Sequence, residues 1–261
     1  MLLALIKVYC WMETYSVKAL AELKSWQKKM LHKPSFLNKL SKKVQAKINS
    51  YIPEKIHAAI TSAIKQMVKV VLFGAGITTS KPNATDVFEI KETRIKERIK
   101  WYKTTASVEG GVTGAGGILL GLADFPLLLG IKIKLLFDIA ALYGFDMKDY
   151  KERIYILYIM QLAFSSQEER RNVYLKIADW NEHAKQLPDD INQYDWRTFQ
   201  QEYRDYLDLA KMAQLIPVIG APVGVVVNYR LITKLGDTAM NAYRLRILSS
   251  NNNVHELYNN N

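Results

Sequence analysis

Gly110-Gly111-Val112-Thr113-Gly114-Ala115-Gly116-Gly117-Ile118-Leu119-Leu120-Gly121 opens the stretch that decides the fold. Seven of the 13 glycines fall between Gly110 and Gly130, and Asp124 is the one charged residue between Gly110 and Ile131. By length alone the stretch could cross a bilayer. Asp124 and Pro126 interrupt it, however, and Lys132, Lys134 and Asp138 follow closely. The pattern predicts two shorter apolar helices meeting at Asp124-Phe125-Pro126, with Asp124 as N-cap and Pro126 in the first turn. The second runs to Tyr143, with Gly144 as its C-cap. Glu109 is expected in a first turn, where a carboxylate favours the helix dipole.

The glycines do not make a nucleotide site. A Walker loop needs Lys-Ser/Thr where this chain has Gly117-Ile118, and Gly74-Ala75-Gly76 lacks the third glycine of a dinucleotide fingerprint. Packing accounts for them better. Gly110 and Gly114, Gly117 and Gly121, and Gly220 and Gly224 each lie four apart, on one helix face. Small residues at that spacing let two backbones approach closely. Glycine costs about 1 kcal/mol against alanine within a helix, so several together imply a compensating contact.

The rest of the chain also has helical spacing. Leu20, Leu23, Trp26 and Met30 trace one stripe, with Lys24, Lys28 and Lys29 off it. Leu37, Leu40, Val44 and Ile48 suggest a second helix. After Pro53 come Ile56, Ala59, Ile60, Ile64, Met67, Val68 and Val71, which Phe73-Gly74 stops. Residues 77–84 read as a linker. A charged helix over 86–102 alternates in sign, including Glu92 and Lys96, and is expected to be solvated on one face. Further helices are expected over 148–164, 166–184 (opened by a Ser166/Glu169 capping box) and 196–213. Ile216-Pro217-Val218-Ile219-Gly220-Ala221-Pro222-Val223-Gly224 echoes the first glycine stretch and leads into a long helix ending near Leu248. No period-2 strand is present. The expectation is an all-α, multi-helix bundle with central glycine-rich helices at 108–143 and 217–246. Residues 1–80 form a basic helical region, 81–250 the glycine-rich core and 251–261 a disordered tail.

Charge is uneven. The chain has 261 residues and a net charge of +11. Residues 1–100 hold 19 Lys/Arg against 7 Asp/Glu, while residues 101–261 are nearly neutral. Such asymmetry points to a polyanionic partner. Every basic residue before Arg94 is lysine, and direct base readout favours arginine, which argues against nucleic acid. Lys18, Lys24, Lys28, Lys29, Lys42 and Lys43 with Trp11 and Trp26 suit an anionic membrane surface. Mean hydropathy of −0.09 is too polar for a multi-span transporter. The single cysteine, Cys10, allows no internal disulfide and lies in an apolar run. We expect a cytoplasmic protein, peripheral to the inner face of the cell membrane. The four histidines form no pair at metal-ligand spacing, and no nucleophile elbow is present. No cofactor or metal is therefore expected.

Ionisable or polar groups in apolar settings are candidates for a site: here Glu109, Asp124, Asn228 and Arg244. The plainer account makes them structural. Asp124 is then a cap, and Lys132 with Asp138, or Arg230 with Asp237, are ordinary ion pairs.

Two motifs carry a family resemblance. Glu109 to Gly117 with Leu122-Ala123-Asp124-Phe125-Pro126 is one. The other is Ile216 to Gly224, through Asn228-Tyr229, to Leu235-Gly236-Asp237-Thr238-Ala239-Met240 and Tyr243-Arg244. Over about residues 45–248 the chain resembles the EcsC protein family. That family is bacterial, and some members are encoded beside an ABC-type exporter. The resemblance implies a context but carries no catalytic residues. The leading expectation is a non-enzymatic accessory protein at the membrane's cytoplasmic face, associated with ABC-type exporter subunits. The alternatives are an enzyme with an acid/base site drawn from Glu109, Asp124, Asn228 and Arg244, or a lipid-binding helical bundle.

Overall fold

The computed structural model describes residues 2–32, 54–73, 81–83, 85–113, 117–165, 169–193 and 221–259. The expected helix through Leu37–Ile48, the helix over 196–213, Gly114 and Gly220 lie outside them, as does most of the 77–84 linker. Helices account for 84% of the described residues, which contain no strand. They are α1 (Leu2–Leu31), α2 (Glu54–Phe73), α3 (Phe88–Thr113), α4 (Gly117–Tyr143), α5 (Tyr150–Phe164), α6 (Arg170–Ala178), α7 (Trp180–Lys185) and α8 (Ala221–Asn259). The fold is all-α, as the spacing predicts. No helix among the described residues is long and apolar enough to cross a membrane.

One core joins the helices. Leu23 of α1, Met67 and Val71 of α2, Ile95 and Ile99 of α3, Leu136 of α4 and Leu235 of α8 belong to the same buried cluster. Every residue of α5 from Glu152 to Phe164 is buried, so α5 is the helix enclosed on all sides. Its start is fixed by Asp149, whose carboxylate accepts from the Lys151 backbone N–H at 2.8 Å. The most extensive pairing is α8 against α3, and α8 also meets α1, α4, α5 and α6. At Gly236 of α8, a Cβ would stand 2.7 Å from Ile99 Cδ1, so the missing side chain sets the closeness of that pair.

Several boundaries differ from expectation. Asp124 and Pro126 do not divide two helices; α4 runs unbroken through both. A proline inside a helix removes one backbone bond, at about 3 kcal/mol. Beyond it Leu129, Ile133, Leu135, Leu136, Phe137 and Ile139 are all buried. Each contributes about 1.5–3 kcal/mol, enough to outweigh the break. Asp124 is thus no N-cap, and Glu109 stands in the last turns of α3 rather than in a first turn. Gly144 does end α4, at φ +102°, with the Phe145 N–H reaching the Ala140 carbonyl at 3.0 Å. Residues 166–184 are not one helix: Asp179 leaves helical geometry and separates α6 from α7. Glu169 is itself the N-cap residue of α6 and makes no side-chain cap bond. Finally, α8 continues past Leu248 to Asn259. Ser and Asn are poor helix formers, but each costs no more than about 0.7 kcal/mol against alanine, too little to force a stop.

Candidate functional site

The most concentrated polar chemistry lies where α1, α3, α4 and α8 meet. The fully buried Glu92 receives a two-pronged grip from Arg244: Nε–H to Oε1 at 2.6 Å and Nη2–H to Oε2 at 2.7 Å. Tyr15 donates to Oε2 at 2.7 Å and Tyr143 to Oε1 at 2.9 Å. Each carboxylate oxygen therefore accepts two hydrogen bonds. Burial alone would raise the Glu92 carboxyl, but Arg244 and the two tyrosines outweigh it and hold it below the ordinary range. Burial and the Glu92 charge push the Tyr143 hydroxyl well above its usual value, so it stays a donor. Tyr15 is raised for the same two reasons. A carboxylate saturated in this way is suited to holding Arg244 in place and poorly suited to taking a proton.

The third nitrogen of Arg244 points elsewhere. Nη1 donates to half-exposed Glu22 at 3.0 Å and to Asn241 at 3.5 Å. It faces a cleft of about 520 Å³ built from one stripe of each of three helices. Glu22, Ser25, Trp26 and Lys29 come from α1; Lys96, Ile99 and Lys103 from α3; Asp237, Met240, Asn241 and Arg244 from α8. Lys96 donates to the Tyr15 hydroxyl at 2.7 Å, and Lys103 lies over the Tyr229 ring. Partial burial pushes the Asp237 carboxyl up, against the pull of Lys103 and Arg244.

Comparison with known proteins shows the family of the chain. The EcsC protein family model matches residues 17–248. This chain belongs to the EcsC protein family. "Protein EcsC" of Bacillus subtilis (strain 168) is 45% identical over 228 residues, covering 87% of this chain and 94% of that protein. "Uncharacterized protein YdbA" of the same strain is 29% identical over 249 residues, covering 87% and 90%. No solved structure matches. The EcsC match begins within α1 and so takes in the helix that closes the cleft, which the resemblance over 45–248 leaves out.

The four candidates do not form one site. Asn228 and Arg244 share helix α8, sixteen positions and so about 24 Å apart. Buried Asn228 accepts from fully buried Lys132 at 3.3 Å. The side chains of Glu109 and Asp124 lie outside the described residues, as do those of Trp11, Lys42 and Lys43. Gly110, Gly117, Gly121 and Gly224 are helical, with surroundings that are not described. Lys18, Lys24, Lys28 and Lys29 are exposed on α1. Trp26 is no outward anchor: it is half-buried, edge-on to Tyr174 at 5.6 Å. The expected pair of Lys132 and Asp138 is replaced by others. Asp138 is held by Lys134 and by the Tyr102 hydroxyl at 2.9 Å.

Sequence reasoning missed Glu92 by pairing it with Lys96 on a solvated face. The signal was available, because Phe88, Glu92, Ile95, Ile99 and Tyr102 follow helical three-and-four spacing, which puts Glu92 on the buried stripe. It also missed Arg246, which grips Glu152 at 2.6 and 2.7 Å beneath two aromatic rings. Among the described residues no group of three or more His, Cys, Asp or Glu is placed to hold a metal.

Proposed function

We propose that this EcsC-family chain works as a non-enzymatic accessory protein at the cytoplasmic face of the cell membrane, in association with an ABC-type exporter. The observation that carries the reading is the outer half of α1. Lys18, Lys24 and Lys28 are exposed there beside exposed Val17 and Leu31, and Glu22, the one acid from Tyr15 to His32, is tied to Arg244. A mixed lysine and aliphatic face is attracted to anionic headgroups and can bury a little apolar area among them. The non-enzymatic part is supported by Glu92, which is locked to Arg244, and by the separation of Asn228 from Arg244. The exporter association comes from the family context.

Sedimentation with phosphatidylglycerol vesicles at low salt tests the membrane part. The wild type is expected to pellet, and Lys18→Glu/Lys24→Glu/Lys28→Glu to stay in the supernatant while keeping its far-UV dichroism. A wild type indifferent to these vesicles sinks the reading. Cross-linking to exporter subunits in intact cells tests the other part, which fails if no such adduct forms.

A further inference from the structure

We propose that the cleft between α1, α3 and α8 is a binding site for a phosphate ester. Arg244, Lys96 and Lys103 would receive the phosphate, and Trp26, Ile99 and Met240 the organic remainder. Four cations and two carboxylates line the cleft. Its volume of about 520 Å³ lies within the range of small-molecule pockets.

The arrangement of Arg244 is the strongest part of the case. Two of its nitrogens are fixed on Glu92, so the guanidinium cannot turn, and the third is aimed into the cleft. A guanidinium held in this way is pre-organised for an anion and loses little freedom on binding one. Its partner is Glu22, whose side chain is 47% exposed and can swing away. Glu22 thus stands where a ligand oxygen would stand. Ser25 and Asn241 add hydrogen-bonding groups beside it. Partial burial pushes the Asp237 carboxyl up, against the pull of Lys103 and Arg244. Phosphate suits the site better than a single carboxylate, because its three terminal oxygens can engage several cations at once. The site stands whether or not the chain meets a membrane, and its lysines are not those of the outer face of α1, Lys18, Lys24 and Lys28.

Titration calorimetry on the full chain, with sn-glycerol 3-phosphate as probe, tests the site. Sedimentation with phosphatidic acid vesicles against phosphatidylglycerol vesicles of equal charge, both in the Lys18→Ala/Lys24→Ala background, separates a lipid headgroup from a free ester. Saturable one-to-one binding is expected in at least one arm. Lys96→Ala/Lys103→Ala should weaken it by roughly tenfold or more, the worth of a charge-assisted hydrogen bond. Glu22→Gln should tighten it by about threefold, as an exposed competing charge is removed. Lys18→Ala/Lys24→Ala should leave binding of the free ester in calorimetry unchanged. Lys96→Ala alone, at an exposed position, serves if the double variant does not fold. Absence of saturable binding in both arms overturns the proposal. So does equal affinity in the wild type and the Lys96 variants, or an equal loss of free-ester binding in the Lys18/Lys24 control.

Discussion

Two arginines two residues apart on α8 make the same bond in opposite surroundings. Arg244 grips Glu92 of α3, and Arg246 grips Glu152 of α5, each with two nitrogens on two oxygens. Around Glu92 the remaining partners are polar: two tyrosine hydroxyls, Glu22 and Asn241. Around Arg246 they include the faces of rings, with the Phe145 and Tyr155 ring centres 4.1 and 4.8 Å from its guanidinium carbon. The first pair leaves a nitrogen for a cleft, whereas the second is stacked on rings as well as paired. The chemistry of a residue pair therefore does not say whether it belongs to a site; the direction of its remaining donors does.

Depth separates the pairs energetically. The side chains of Glu92 and Arg244 are 0% and 4% exposed, those of Glu152 and Arg246 11% and 15%. Glu92→Ala leaves a buried guanidinium without its carboxylate. We expect a loss of about 3–5 kcal/mol, read by urea unfolding. Glu92→Leu/Arg244→Met, which removes both charges, should recover most of it. A double variant as unstable as the single would show that the loss is a packing defect rather than an orphaned charge. Arg246→Lys keeps a charge but gives up the planar grip and the stacking, and should cost about 1–3 kcal/mol. If it costs more than Glu92→Ala, the ranking by depth is wrong.

Acid should also tell them apart. The folded-state value of Glu92 is depressed, so its contribution to stability is present above the ordinary value of 4.5 and is lost as pH falls below that towards the folded value. The unfolded chain takes up this proton before the folded one. The extra slope is at most about 1.4 kcal/mol per pH unit. Urea midpoints collected from pH 5.5 to 3 should fall more steeply in the wild type than in Glu92→Gln. Parallel curves would mean that Glu92 is not held below its usual range.

The same contrast shows what the sequence makes legible. Helix content, the buried stripes of α1 and α2 and the Gly144 stop follow from local spacing and could be read directly. Glu92 could have been read too, from its place between Phe88 and Ile95. Its partner could not: Arg244 lies 152 positions away, and no local pattern specifies which distant arginine reaches a buried glutamate. The Asp124-Phe125-Pro126 break failed for a related reason. Proline's local cost was legible, but the burial from Leu129 to Ile139 that outweighs it depends on partners far along the chain. Among the glycines whose surroundings are described, the close helix approach is at Gly236, which no four-residue glycine spacing marks.

Tyr243 sits between the two regions and gives the finest test of their independence. Its ring packs on Tyr143, which donates to Glu92, and on Phe145 and Tyr155, which cover Arg246. Its own hydroxyl is buried and makes no hydrogen bond. Tyr155, by contrast, donates to the Ala242 carbonyl at 2.8 Å. Tyr243→Phe removes an unsatisfied group while keeping the ring stack. It should be neutral or stabilising by up to about 1 kcal/mol, whereas Tyr155→Phe should cost about 1 kcal/mol. Thermal unfolding of the two variants side by side resolves a difference of that size. A destabilised Tyr243→Phe would mean that its hydroxyl supports one of the pairs through a water. Adding Glu92→Ala or Arg246→Lys in a double-mutant cycle then identifies which, since only the coupled pair departs from additivity.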